Sequence, residues 1–151
     1  MAEPLSFRSF DDVTEWLDRV EAATSVSAPN GFAPGVALAH CAQSLNMQCT
    51  GYPTMNPTAM RRTVGVVTRN RYVAKGSMTH AVGENIPGAP AIPREVSTEE
   101  GIALLRQALT DFTEHRKGMA EHYIHGTVDK ITAEMLQSMH IANHADHILI
   151  S

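Results

Sequence analysis

Apolar residues recur at three- and four-residue intervals in four separate stretches of this chain, and no window alternates apolar with polar residues for the length of a strand. That periodicity admits helices and little else. Phe10, Val13, Trp16, Leu17, Val20 and Ala23 predict a helix over about 9–24. Val36, Leu38, Ala42 and Leu45 predict a second, from Pro34 to about Cys49. Ile102, Leu105, Ala108, Leu109 and Phe112 mark a third, and Met135, Leu136, Met139, Ala142, Ile148 and Leu149 a fourth that begins near Thr132. Start signals agree. Ser9 stands before Asp11 and Asp12, and Ser97 and Thr98 stand before Glu100.

The breaks between these stretches are unequal. SVSAPNG and KGMAEHYIHGTVDK are short connections, whereas residues 50–96 separate the second helix from the third. Within that interval Pro57 opens a shorter basic helix through about Tyr72, and GSMTHAVGENIPGAPAIP is an irregular loop. Short loops join antiparallel neighbours, but a long crossover lets two consecutive helices run parallel. The expected fold is therefore all-α: an up-down-down-up four-helix bundle whose long crossover contains a short extra helix. At 151 residues the chain is expected to form a single domain over 1–151.

The N-terminus, MAEPLSFRSFDDV, carries acids where a secretory signal needs a basic and then an apolar region, and no apolar run reaches the roughly 20 residues that span a bilayer. The expectation is a soluble, cytoplasmic protein without a membrane partner. Cys41 and Cys49 are eight residues apart on one predicted helix, about 12 Å at 1.5 Å per residue, which is beyond disulfide reach. They are read as reduced thiols.

The net charge of −4 hides an asymmetry, because no carboxylate lies between Glu21 and Glu84 while Arg61, Arg62, Arg69, Arg71 and Lys75 do. A basic segment can mark nucleic-acid binding. The low aromatic content and acidic balance argue against that partner, and leave either a solvated helix face or a local attraction for small anions.

The ending MHIANHADHILI places His140, His144 and His147 within about 60° of one another at 100° per residue, beside a face that Met139, Ala142 and Leu149 should bury. Buried imidazoles without partners are costly, and a shared cation removes that cost. Imidazoles four apart on a helix can each reach one ion at about 2.0–2.1 Å. A further ligand must come from another helix, with His40, His80, His115, His122 and His125 available. Only His40 sits mid-helix in an apolar stretch, GVALAHCAQSLN.

A histidine early in the second helix, a long intervening stretch and an H-x-x-x-H pair on the last helix resemble the DinB-like (YfiT-like) metalloenzyme superfamily. The phrases LAHCAQSLNMQCTGYP, MRRTVG, IPGAP and MHIANHADHI resemble one bacterial branch of unknown function within it. The resemblance runs from about Phe32 to Leu149. It implies a four-helix bundle, often a homodimer, with a divalent metal on His40, His140 and His144. Pairing His144 with His147 is the alternative register.

A three-imidazole site keeps the ion's charge and leaves positions open, which is the catalytic type. It suits zinc or nickel, and also iron or copper. Such a site acidifies a bound water or accepts a thiolate, and relatives include thiol-dependent transferases and isomerases. The expected function is a metal-dependent enzyme, of hydrolase or thiol-dependent transferase type, acting on a small anionic molecule, with a thiol cofactor as a further partner. Arg61, Arg62 or Arg69 would stand near its mouth, and Gln43 and Ser44 would line the pocket beside His40. Cys41 would point into helix packing, and Asn143 and Asp146 are candidate partners for the ligating rings. No residue is assigned as catalytic. The competing expectation is a non-catalytic, dimeric helical bundle whose histidines only pack.

Overall fold

The computed structural model describes residues 3–151. It is mostly helical. Four long helices, α1 (Phe10–Ala22), α2 (Pro34–Thr50), α5 (Thr98–Glu114) and α6 (Lys130–Ala145), contribute to one apolar cluster, and two further helices, α3 (Thr58–Arg62) and α4 (Val64–Lys75), lie in the crossover. Among the described residues no helix is long and apolar enough to cross a membrane.

Two of the long helices, α5 and α6, begin where side chains satisfy otherwise unpaired N–H groups. Ser97 and Glu100 form a reciprocal capping box on α5, with the Ser97 N–H donating to Oε2 at 2.8 Å and the Glu100 N–H donating to Oγ at 3.1 Å. The side chain of Asp129 caps α6 by accepting from the Thr132 N–H at 2.7 Å. Pro34 opens α2, where its missing N–H costs nothing. At α1 the Ser9 hydroxyl makes no cap bond; Asp12 instead accepts from the Arg8 N–H at 2.7 Å.

Helix α1 buries Phe10, Val13, Trp16, Leu17 and Val20 and keeps its charged face outward. By contrast α2 is buried almost all round, from Gly35 to Ala42, because it packs against both α5 and α6. The contact with α5 is close because both helices carry glycine there. A Cβ on Gly101 would stand 2.6 Å from the Gly35 carbonyl oxygen, and one on Gly35 would strike the carbonyls of Val96 and Ser97. The N-terminal ends of α2 and α5 therefore lie side by side.

Three local expectations are corrected. The basic helix is two helices, α3 and α4, separated at Thr63. The final helix starts at Lys130 and stops at Ala145. Leu149 and Ile150 form strand β2, which pairs antiparallel with β1 (Val26–Ser27). Pairing of Val26 with Ile150 and Ser27 with Leu149 gives the terminal backbone partners that another helical turn would have supplied from within. Cys41 is buried in the core, as expected, and both thiols are free.

Candidate metal centre

His40 lies in the second turn of α2, and His140 and His144 lie one turn apart near the end of α6. Their ring centroids are 5.3 Å (40–140), 4.8 Å (40–144) and 4.8 Å (140–144) apart. One nitrogen from each falls within 4.8 Å of the other two. His40 and His144 are buried and His140 is half-buried.

The two helices are tied in register by a polar ladder. Ser44, one turn past His40, donates to Gln137 Oε1 at 3.0 Å, and Gln137 stands nearly one turn before His140. Gln137 Nε2 then reaches both Gln48 Oε1 and the Tyr52 hydroxyl at 3.5 Å, and Gln48 Nε2 donates to the Ala120 carbonyl at 2.9 Å. With His40 beside His140 and His144, and Ser44 bonded to Gln137, partners on α2 ascend in number as those on α6 descend. Apart from its longer members, the ladder satisfies polar groups that burial would otherwise penalise.

The imidazole nitrogens have no such partners. His40 Nδ1, His140 Nδ1 and His144 Nε2 are buried and accept or donate no hydrogen bond. Burial, then the neighbouring imidazoles, lowers the pKa of His40 to about 4 and of His144 to about 3, and holds that of His140 far below its ordinary value. Neutral rings keep a lone pair free at pH 7. Three neutral nitrogen donors without other partners could hold a divalent ion.

His40 and His140 also line a cavity of about 390 Å³, within the range of small-molecule sites. Ser44 and Gln137 contribute to its wall, together with His122 and Tyr123 from the loop before α6. Gln43 does not; its amide donates to the Pro90 carbonyl at 2.9 Å and holds the crossover down. His147 lies beyond the end of α6, outside the trio. Neither Asn143 nor Asp146 bonds a ring of the trio: Asn143 donates to the His80 carbonyl at 3.1 Å, and Asp146 accepts from the Leu5 N–H at 2.6 Å.

The expectation of arginines at the mouth is corrected, since none lines the cavity. Arg61 pairs with Glu121 at 3.1 Å and also donates to the Asn56 carbonyl, while Arg69 donates to the Thr127 carbonyl at 2.8 Å. Both serve as struts between the crossover and the loop before α6. The acidic side chain in the wall is that of Glu84.

Two histidines beyond the trio complete the surroundings. His80, in the crossover loop, has its ring 5.1 Å from His140 and 5.5 Å from His144. His122 is buried, and its Nδ1 accepts from the Ile124 and His125 N–H groups at 3.1 and 3.2 Å. With Nδ1 engaged as an acceptor, the proton of the neutral ring resides on Nε2. Burial, reinforced by His125, holds its pKa at about 3. The loop is seated on α4 by Gly65, whose carbonyl takes His125 Nδ1–H at 3.0 Å; a Cβ on Gly65 would collide with the Ile124 carbonyl.

A mostly helical protein with three close, unpartnered imidazoles that could hold a metal ion is the class defined by this fold and site. The chain itself belongs to the family described as Protein of unknown function (DUF1569), whose model matches residues 1–149. No curated protein and no solved structure matches it.

Proposed function

We propose that this is a DinB-like metal-dependent enzyme in which His40, His140 and His144 hold one divalent ion beside a small-molecule cavity. The observation that carries the reading is the convergence of three imidazoles from two helices, each with a buried nitrogen that has no hydrogen-bond partner. Side-by-side N-terminal ends of α2 and α5, and the opposed order of partners on α2 and α6, support the up-down-down-up arrangement that the superfamily implies.

A divalent ion held there supplies Lewis acidity toward a substrate oxygen or sulfur, as hydrolase and thiol-dependent transferase chemistry both require. The remaining work falls to the chain. Ser44 and Gln137, locked to one another, give the wall fixed polar groups. His122 offers a fixed Nε2–H donor to a substrate oxygen, and cannot become a cation without setting a new N–H against two backbone donors. Ile86 and Leu136 supply apolar wall and keep water from part of the cavity. With no arginine in the wall, attraction for an anionic substrate would come from the centre alone.

The test is metal analysis of protein prepared without a histidine tag and reconstituted with zinc or nickel. A single ion per chain in the wild type, and none in His140→Ala, supports the reading. No stoichiometric uptake of either metal would leave a non-catalytic helical bundle.

A further inference from the structure

Resting on the metal reading above, we propose that His80 is a fourth protein ligand, carried to the centre by the crossover loop and able to close it.

The loop between α4 and α5 has no periodic structure of its own, yet His80 is fixed at both its backbone and its ring. The Asn143 amide, one residue before His144 on α6, donates to the His80 carbonyl at 3.1 Å. That pins the loop's main chain directly over the helix that bears two of the three imidazoles. The ring then lies 5.1 Å from His140, inclined by 26°, and 5.5 Å from His144.

Tautomer follows from the hydrogen bond. His80 Nδ1 is 2.9 Å from the Ala81 carbonyl oxygen, which can only accept, so Nδ1 bears the proton. In the neutral ring Nε2 then holds the lone pair. That nitrogen is buried and has no partner, just like the free nitrogens of His40, His140 and His144. An imidazole that donates one nitrogen to a main-chain carbonyl and turns the other toward an ion is the usual arrangement of a metal-bound histidine. An orphaned acceptor among other imidazoles has no other evident stabilisation.

Position separates His80 from the trio. It is absent from the set whose nitrogens all lie within 4.8 Å of one another, so it has further to travel to reach the same ion. It also comes from a loop, and it lines the same cavity as His40 and His140. A helix-borne trio with a loop-borne fourth imidazole is a centre that can be four-coordinate when the cavity is empty. It exposes a position to substrate when the loop withdraws, which is the difference between a closed and an open site.

Cobalt(II) reports this directly, because four-coordinate cobalt absorbs visible light several-fold more strongly than five- or six-coordinate cobalt. Wild type, His80→Ala, His80→Gln and His140→Ala would be titrated with cobalt and, by competition, with zinc; far-ultraviolet circular dichroism would confirm that each variant is folded. The wild type is expected to give the intense four-coordinate spectrum. Both His80 variants should still take up a single ion, with a weaker and shifted spectrum and at least tenfold lower affinity, the lower end of what loss of even an outer partner costs. Free imidazole should restore the intense band to His80→Ala and leave wild type unchanged. If wild type and both His80 variants show superimposable spectra and equal affinity, His80 is no ligand, although the three-histidine centre stands. If wild type binds neither metal, the metal reading fails and the fourth ligand with it. His140→Ala separates these cases, since it should lose stoichiometric binding whatever His80 does.

Discussion

Ser44 and Gln137 are joined by a buried hydrogen bond of 3.0 Å, one turn from His40 on α2 and nearly one turn from His140 on α6. The bond acts as a register pin. Two helices packed only through apolar side chains can slide at modest cost, but a slide here would strand Ser44 and Gln137 without partners and take Gln137 away from Gln48 and Tyr52.

Gln137→Leu should therefore weaken both fold and site. Loss of the amide leaves the Ser44 hydroxyl unpaired and removes a neighbour of Tyr52, at about 1–3 kcal/mol for such a buried group. Urea unfolding should register about 2 kcal/mol of destabilisation, and zinc affinity should fall because the imidazoles lose their alignment. A loss below about 0.5 kcal/mol, the scatter of ordinary surface changes, would show that the ladder does not set the register.

Gly65→Ala probes the seating of the loop that carries His122 and His125. Its Cβ would strike the Ile124 carbonyl, a backbone atom that cannot swing aside. Overpacking of this kind costs about 1–3 kcal/mol, and the His125–Gly65 bond of 3.0 Å would go with it. A lowered melting temperature with altered His122 ring resonances is the expected result. Unchanged resonances would contradict this account of the loop.

Acid should destabilise the metal-free protein. Burial, with like-charged neighbours second, lowers the folded-state pKa of His40 to about 4 and of His122 and His144 to about 3, against 6.5 in the unfolded chain. Below pH 6.5 the unfolded state takes up protons that the folded state refuses, so stability is full above that pH. It declines as pH falls toward the folded values and then levels off. Well below pH 6.5 each histidine contributes about 1.4 kcal/mol per pH unit, and integrated through the unfolded pKa the three remove about 4 kcal/mol between pH 7.5 and 5.5. Urea midpoints at pH 7.5 and 5.5 measure this. Equal midpoints would mean that these rings titrate as exposed ones.

Much of this centre was legible in the residues, for physical reasons. His40 stood out because a lone imidazole in GVALAHCAQSLN lies on a helix with no solvent side, and His140 and His144 because helical spacing alone places them together. His80 and His122 did not stand out. They sit in irregular loops where periodicity is silent, and their places depend on contacts with Asn143 and with the turn closed between His122 and Gly126. Nothing near Arg61 in the sequence shows that its charge is taken, because its partner, Glu121, is 60 residues away. Ile148 and Leu149 keep helical spacing in the sequence, but α6 stops at Ala145 and Leu149 pairs with Ser27 instead. Gln137 gave only the weak signal of an amide among apolar residues.

The central claim, that imidazoles from α2 and α6 hold one ion jointly, is tested most directly by substituting a single histidine on each helix. Zinc binding by untagged wild type, His40→Gln, His144→Gln and, as a control outside the trio, His147→Gln would be followed by isothermal titration calorimetry. Wild type and His147→Gln should bind a single ion per chain with matching affinity, while His40→Gln and His144→Gln should each lose tight binding. Tight stoichiometric binding that survives His40→Gln, or none in the wild type, would contradict it.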